Sequence, residues 1–354
     1  MKPMALILQG GGALGAFEYG VVSKLVELGW QPTAVSGVSI GAINAAAIAG
    51  ARDGDIAASL QAIWRAITLP QVPWLPASMQ SGLSLLGNPQ FWRSRYDYAD
   101  MARWTSLCDT SPMHATLSRH CDFAQINDPA HMRFAVTATN LHTGGPTTFC
   151  NHHAVGAHTR AGNHASTRAA LTPAHVLASG SLPPGFPSTV IERRHYWDGG
   201  LFSNTPIDAM LDLLEPDEIA SLPIFVIDLF PTGDQPAPAN LLEVQTRAIA
   251  LQYQNRFWNQ FGGDGRLEGF VAMLEELDKE LPAHSALRHT PAFRWLNRLQ
   301  ALKNLRVISS AAAPAGGDHD FSPYGVRHAY QAGRAAVVRH FEQEASSVPA
   351  LRAA

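Results

Sequence analysis

Ser39 stands in the pentapeptide Gly37-Val38-Ser39-Ile40-Gly41, a GxSxG pattern between a predicted strand and a predicted helix. In that context the turn forces the serine into a strained backbone conformation that exposes its hydroxyl. The flanking glycines, Gly37 and Gly41, carry no Cβ to obstruct the close approach of strand and helix. The helix that follows aims its positive N-terminal end at any oxyanion formed there. A second glycine turn, Gly10-Gly11-Gly12-Ala13-Leu14-Gly15, brings bare N–H groups to one point, and the amides of Gly10, Gly11 and Gly12 form a nest suited to a negative oxygen. A protonated serine is a poor nucleophile and needs a base. Asp198, in Trp197-Asp198-Gly199-Gly200, sits among apolar and small residues that should raise its pKa, and Gly199 and Gly200 let the chain turn against the nucleophile. Hydroxyl, carboxylate and amides together point to two-step acyl transfer.

Rival chemistries use the same residues. Gly10, Gly12 and Gly15 also spell GxGxxG, a dinucleotide fingerprint, which expects an acidic residue about 20 positions on at the end of the second strand. Residues 31–37 contain none, and Glu27 lies inside the predicted first helix. The dinucleotide reading stays as an alternative, behind the oxyanion reading. Fifteen histidines raise a Ser-His-Asp triad, with His319 giving the order Ser39, Asp198, His319 found in α/β-hydrolases. Those hydrolases place several strands before the serine, however, and here there is room for one strand and one helix. Asp318-His319-Asp320 also reads more simply as a polar loop. A binding or scaffolding domain with a relic site is the non-enzymatic alternative. Cys150, His152, His153, His158 and His164 match no structural zinc spacing and read as a solvated loop, so no metal and no cofactor are expected.

The elements that must position these groups follow from periodicity. Residues 4–8 form an apolar strand, Phe17, Val21, Leu25 and Leu28 repeat at helical spacing, residues 33–36 make a second strand, and an alanine-rich helix runs to Ala49 before Gly50. This βαβα opening predicts a mainly parallel sheet covered by helices. Further strands are expected at 132–139, 223–230 and 304–309. Residues 69–115 read as an aromatic-rich cap or entrance insertion, with Trp74, Phe91 and Trp92 at the substrate entrance. Leu267, Phe270, Val271, Leu274, Leu277 and Leu281 form one core stripe of a late helix. Val326, Tyr330, Val337 and Phe341 form another, in a last helix starting at Ser322-Pro323. The expected division is a catalytic domain over residues 1–235 and a mostly helical region over 236–354 packed on it.

Composition bounds the partners. With 354 residues, 46% hydrophobic, the chain can bury at least one large core. Its 16% charged residues and net charge of -3 give no field for nucleic acid or an anionic membrane, so lipid contact would be peripheral and mainly apolar. Cys108, Cys121 and Cys150 are odd in number and form no CxxC, which argues against a disulfide framework and fits a reducing cytoplasm. The apolar stretch after Lys2 is interrupted by glycines and followed by Glu18, unlike a signal peptide. Residues 42–51 fall far short of the roughly 20 needed to span a bilayer. A monomer and a dimer would serve equally.

Taken as a set, Gly10 to Gly15, Gly37 to Gly41, Asp198-Gly199-Gly200 and the proline-containing block at residues 178–187 resemble the patatin-like phospholipase family over residues 5–208. The resemblance implies a three-layer α/β/α fold, a Ser39-Asp198 dyad, a glycine oxyanion loop, no metal, and hydrolysis of acyl esters in phospholipids or other lipids. One position departs. Many family members carry a basic residue where this chain has Leu14, which weakens the case for a phosphate head group more than that for ester hydrolysis.

Overall fold

The computed structural model describes residues 1–153, 165–230, 237–254, 266–310 and 317–347. The first apolar run becomes β1 (Lys2–Leu8), with residues from Met4 to Leu8 fully buried in the middle of the sheet. A strand covered on both faces has no solvent side to alternate with, which is why its sequence reads as a continuous apolar run. Its side chains nonetheless part company by face. Met4, Leu6 and Leu8 enter one core cluster, whereas Ala5 and Ile7 enter the other, so helices lie above and below and the architecture is three-layered, α/β/α.

α1 (Gly15–Glu27) returns the chain to β2 (Trp30–Gly37), which pairs parallel with β1 and brings Gly37 beside Leu8. α2 (Ile40–Ala49) follows at once, and all its residues are buried. A helix apolar on every side needs a layer beyond it. α3 (Ile56–Ile67) supplies that layer, and Ser59 Oγ donates to the Ala47 carbonyl at 2.7 Å.

A small antiparallel ribbon, β3 (Arg93–Ser94) with β4 (Cys108–Asp109), lies in the aromatic-rich insertion. The main sheet then gains β5 (Arg133–Asn140), β6 (Pro146–Cys150), β7 (Ala165–Arg168), β8 (Thr189–Ile191), β9 (Arg194–Asp198), β10 (Ile224–Asp228) and β11 (Leu305–Ser309). Among the described residues its order is β11-β10-β1-β2-β5-β6-β7, parallel from β11 to β5, with β8 and β9 joined antiparallel beside β5. The strands expected at 132–139, 223–230 and 304–309 correspond to β5, β10 and β11.

Residues beyond 236 thus contribute an edge strand to the sheet. They also contribute the Pro323–Ser347 helix, which packs along α1 with Tyr19 and Tyr330 ring centroids 4.4 Å apart. Close approach here depends on two glycines: a Cβ at Gly20 would run into the Tyr330 carbonyl, and one at Gly333 into the Phe17 carbonyl. The stripe expected on the Arg266–Glu280 helix divides. Leu267, Val271 and Leu274 are buried, but Phe270 and Leu277 are 37% and 49% exposed. At 3.6 residues per turn these two lie about 60–80° around the helix from Leu267, outside the narrow face that this peripheral helix turns inward.

The two glycine environments make opposite predictions. Gly333→Ala should lower the urea midpoint, at a cost of about 1–3 kcal/mol for overpacking. Gly269→Ala, where an added Cβ meets open space in the Arg266–Glu280 helix, should leave the midpoint unchanged or raise it. A Gly333→Ala protein as stable as the parent would contradict the described contact between the two helices.

Candidate active site

The site arises from the way strands share β5. On one flank, β6 pairs with β5 from Ala135 to Thr139, so β2 and β9 must both lie on the other. β2 uses the first half of that flank and ends with Gly37 opposite Val136, while β9 arrives antiparallel on the second half with Asp198 opposite Ala138. Two residues of strand separate those positions, roughly 7 Å. The strand ends therefore face each other across a short gap, and the turns leaving them carry Ser39 and Asp198.

Ser39 has φ 55° and ψ -123°, a region that side chains other than glycine seldom occupy and that costs of order 1–3 kcal/mol. Its backbone is pinned in place: Ser39 N–H donates to both the carbonyl and the hydroxyl of Ser179 at 3.1 Å, and Ser179 Oγ donates in turn to the Thr137 carbonyl at 2.6 Å. The glycines of the motif earn their places by contact. A Cβ on Gly41 would lie 2.5 Å from the Leu8 carbonyl oxygen, and one on Gly37 2.7 Å from the Ala42 nitrogen.

Asp198 is 2% exposed. Burial pushes its carboxyl up to about 6, opposed by the nearby Ser39 side chain and by a hydrogen bond from the Gly200 N–H at 2.8 Å. Its own backbone is fixed on both sides, since Asp198 N–H donates to the Ser181 carbonyl at 3.0 Å and Thr139 Oγ1 donates to the Asp198 carbonyl at 2.8 Å. Gly199 passes so close to the Thr137 carbonyl that no side chain fits there.

Gly10, Gly11 and Gly12 line the same cavity as Ser39 and Asp198, about 270 Å³ in volume. Their amides are not equivalent. Gly10 N–H donates to Asn204 Oδ1 at 3.0 Å, whereas no hydrogen bond from Gly11 N–H or Gly12 N–H is found among the described residues. Beneath the loop, Gln9 N–H donates to buried Glu18 at 2.7 Å, and Asn44 links Glu18 (2.8 Å) to the Trp64 indole N–H (2.8 Å). Burial raises the Glu18 carboxyl to about 8 against the Asn44 and Gln9 hydrogen bonds. Asn204, Ser179 and Glu18 escape sequence reasoning because an asparagine in a loop, a serine ending a helix and an acid in a first helical turn have abundant ordinary uses.

Of the expected entrance residues, Phe91 and Trp92 line the cavity and pack against Phe186 and Phe321, with centroids 5.4–6.0 Å apart. Trp74 does not line it and is 84% exposed; the cap turns only part of its aromatic set inward. His319 lines the cavity too, but its Nδ1 faces Asp318 at 3.4 Å, and no hydrogen bond joins it to Ser39 or Asp198 among the described residues. The hydrogen bond to Asp318 raises the His319 pKa. A second cavity, about 210 Å³, surrounds Ile207 and Trp295 and includes neither Ser39 nor Asp198 in its lining. In the cysteine and histidine cluster, His152 pairs with Glu215 at 2.7 Å and Cys150 Sγ lies 3.5 Å from His153; His158 and His164 fall outside the described residues. No group of three or more candidate metal ligands occurs among the described residues.

The chain belongs to the patatin-like phospholipase family, whose model matches residues 6–211, more than half of its length. The match begins in β1 and ends in the Ile207–Leu213 helix, so it encloses Ser39, Asp198 and the glycine loop. Membership places the chain among lipid acyl hydrolases at the level of the family. No curated protein matches it. Among solved structures it is similar to VipD from Legionella pneumophila, at 15% identity and a TM-score of 0.41, over 96% of this chain and 67% of that one. It is also similar to human GIVD cytosolic phospholipase A2 in complex with methyl gamma-linolenyl fluorophosphonate, at 13% identity and a TM-score of 0.32, over 96% and 60%. Both likenesses are too distant to bear on function.

The buried carboxyl predicts a pH-dependent stability difference. Asp198 has its pKa raised from an unfolded value of about 3.9, so its contribution to stability is fully present below that pH and is lost as pH rises through about 6. Asp198→Asn, which keeps an acceptor for Gly200 N–H and stays neutral, should gain stability relative to the parent between pH 4 and pH 7, by roughly 2–3 kcal/mol at the upper end. Parallel melting curves across that range check it; a constant difference would mean that the carboxyl is not desolvated.

Proposed function

We propose that this protein hydrolyses carboxylic esters of lipids by two-step acyl transfer, with Ser39 as nucleophile and Asp198 as base. The observation that carries this reading is a desolvated carboxyl, Asp198, lining the same apolar cavity as a serine held in a strained turn, with the ends of β2 and β9 facing each other across one flank of β5. Asp198 accepts the Ser39 proton as the hydroxyl oxygen attacks the ester carbonyl. Amides of the glycine loop hold the tetrahedral oxyanion, and each such donor typically supplies about 2.7–4 kcal/mol of transition-state stabilisation. Asp198 returns the proton to the departing alkoxide, then activates the water that releases the fatty acid from the acyl-serine. Gly10 has its N–H committed to Asn204, so Gly11 and Gly12 are the donors this reading employs.

The reacting groups, on this reading, all lie within residues 1–235, while 236–354 pack on that part and add both β11 and a share of the cavity lining. Phe91, Trp92, Phe186 and Phe321 form an acyl-binding wall. Exposed Trp74, Leu86, Leu241 and Val244 supply apolar surface for peripheral contact with lipid. Free Cys108, Cys121 and Cys150 agree with a reducing cytoplasm. No helix among the described residues is long and apolar enough to cross a membrane.

A fluorophosphonate probe should label Ser39, and Asp198→Asn should abolish turnover of a short-chain p-nitrophenyl ester while the protein stays folded. His319→Ala should retain most of the activity. Turnover should rise with pH through about 6, as the base ionises, and level off above it. Folded protein that resists the probe, or Asp198→Asn that remains active while His319→Ala is dead, would overturn the dyad.

A further inference from the structure

We propose that Asn204 is a positioning residue that sets the orientation of the oxyanion loop by gripping the Gly10 backbone from both sides. This rests on the acyl-transfer reading of Ser39 and Asp198. The Asn204 amide accepts from Gly10 N–H at 3.0 Å and donates to the Gly10 carbonyl at 3.0 Å, and it also donates to the Tyr253 carbonyl at 3.2 Å. The side chain is buried, lines the catalytic cavity, and leaves no room for a Cβ on Gly10, which would come within 2.7 Å of Asn204 Oδ1.

The consequence follows from peptide geometry. In a planar trans peptide the carbonyl of one residue and the N–H of the next point in opposite directions. Holding the Gly10 carbonyl towards Asn204 therefore turns the Gly11 N–H away from it, and occupying the Gly10 N–H withdraws that amide from the oxyanion. Glycines have little conformational preference of their own, so without the grip the loop would sample many peptide orientations. The neighbouring residue reinforces the arrangement, since Gln9 Nε2 donates to Thr205 Oγ1 at 2.8 Å and Gln9 Oε1 accepts from Leu229 N–H at 2.9 Å. Asn204 also lies on the segment that leaves Asp198 through Gly199 and Gly200. One stretch of chain thus carries the base and sets the donors, keeping both in register with Ser39.

The test is steady-state kinetics of Asn204→Ala on a p-nitrophenyl ester, with Gly333→Ala as a destabilised control remote from the cavity. Asn204→Ala should lower kcat about 10²-fold, the scale of loss for a misplaced catalytic group, with KM changed less than about threefold. Affinity for a trifluoromethyl ketone, which mimics the tetrahedral oxyanion, should fall in parallel with kcat/KM, and the rise of activity near pH 6 should stay where it is because the base is untouched. Asn204→Ser repeats the measurement if the alanine variant does not fold. Should the wild type turn over ester and the folded variant keep kcat within about threefold, or lose no more than Gly333→Ala does, the positioning role is overturned and acyl transfer stands. Failure of both variants to fold would assign Asn204 to stability and overturn it likewise. A wild type that neither labels nor turns over ester would remove the acyl-transfer reading first, and this inference with it.

Discussion

One flank of β5 is shared by two strands that run at each other, and the site depends on that constraint. β2 ends where β9 ends, with only the span from Val136 to Ala138 between their partners, so the turns leaving both strands occupy the same space. The local conformations this demands are costly: Ser39 holds a positive φ, and Asp198 gives up its water. Neither would persist on a flexible loop. They persist because the hydrogen bonds of the sheet, the Ser179 contacts and the fully buried α2 over-determine the positions of both chain segments. The raised Asp198 pKa and the strained serine are then two results of one closure, since the meeting that excludes solvent from the carboxyl also forces the turn.

The glycine loop is fixed by a different means. Polar side chains reach its backbone from below through Glu18, Asn44 and Trp64, and from the side through Asn204. A fully bonded network of this kind in a low-dielectric interior resists rearrangement more strongly than isolated pairs would. On the proposed mechanism such rigidity matters, because amides already aimed at a developing charge need no reorganisation during the reaction. Leu14 fits the same pattern. It is buried, so this position of the glycine loop contributes packing.

How legible was this in the sequence? The elements around the chemistry were, because buried parallel strands and a helix apolar but for Asn44 leave dense patterns such as residues 4–8 and 40–49, and the glycines mark where backbones touch. Ser39 and Asp198 stood out by motif type alone. Their separation did not, since it depends on β6 occupying the opposite flank of β5, a long-range fact with no local signature. Asn204 was hidden for the related reason that its partner lies 194 positions away in the chain. Trp74 misled because aromatic concentration marks an insertion without saying which rings turn inward, and Phe270 because an apolar residue near the edge of a helical stripe looks the same whether or not a neighbour covers it.

The family match ends at residue 211, yet the cavity does not. Asp318, His319 and Phe321 line it from the stretch before the last helix, and Tyr253 lines it from the Leu241–Tyr253 helix. Phe321 meets Phe91 and Trp92 edge-on and stacks on buried Trp64 behind them, so its ring joins the cavity lining from the entrance insertion to α3. The Phe321 carbonyl also accepts from Leu69 N–H at 2.9 Å, at the point where the insertion leaves α3. The lining of the cavity is thus shared by the insertion and the C-terminal region, while Ser39, Asp198 and the glycine loop lie within the matched core.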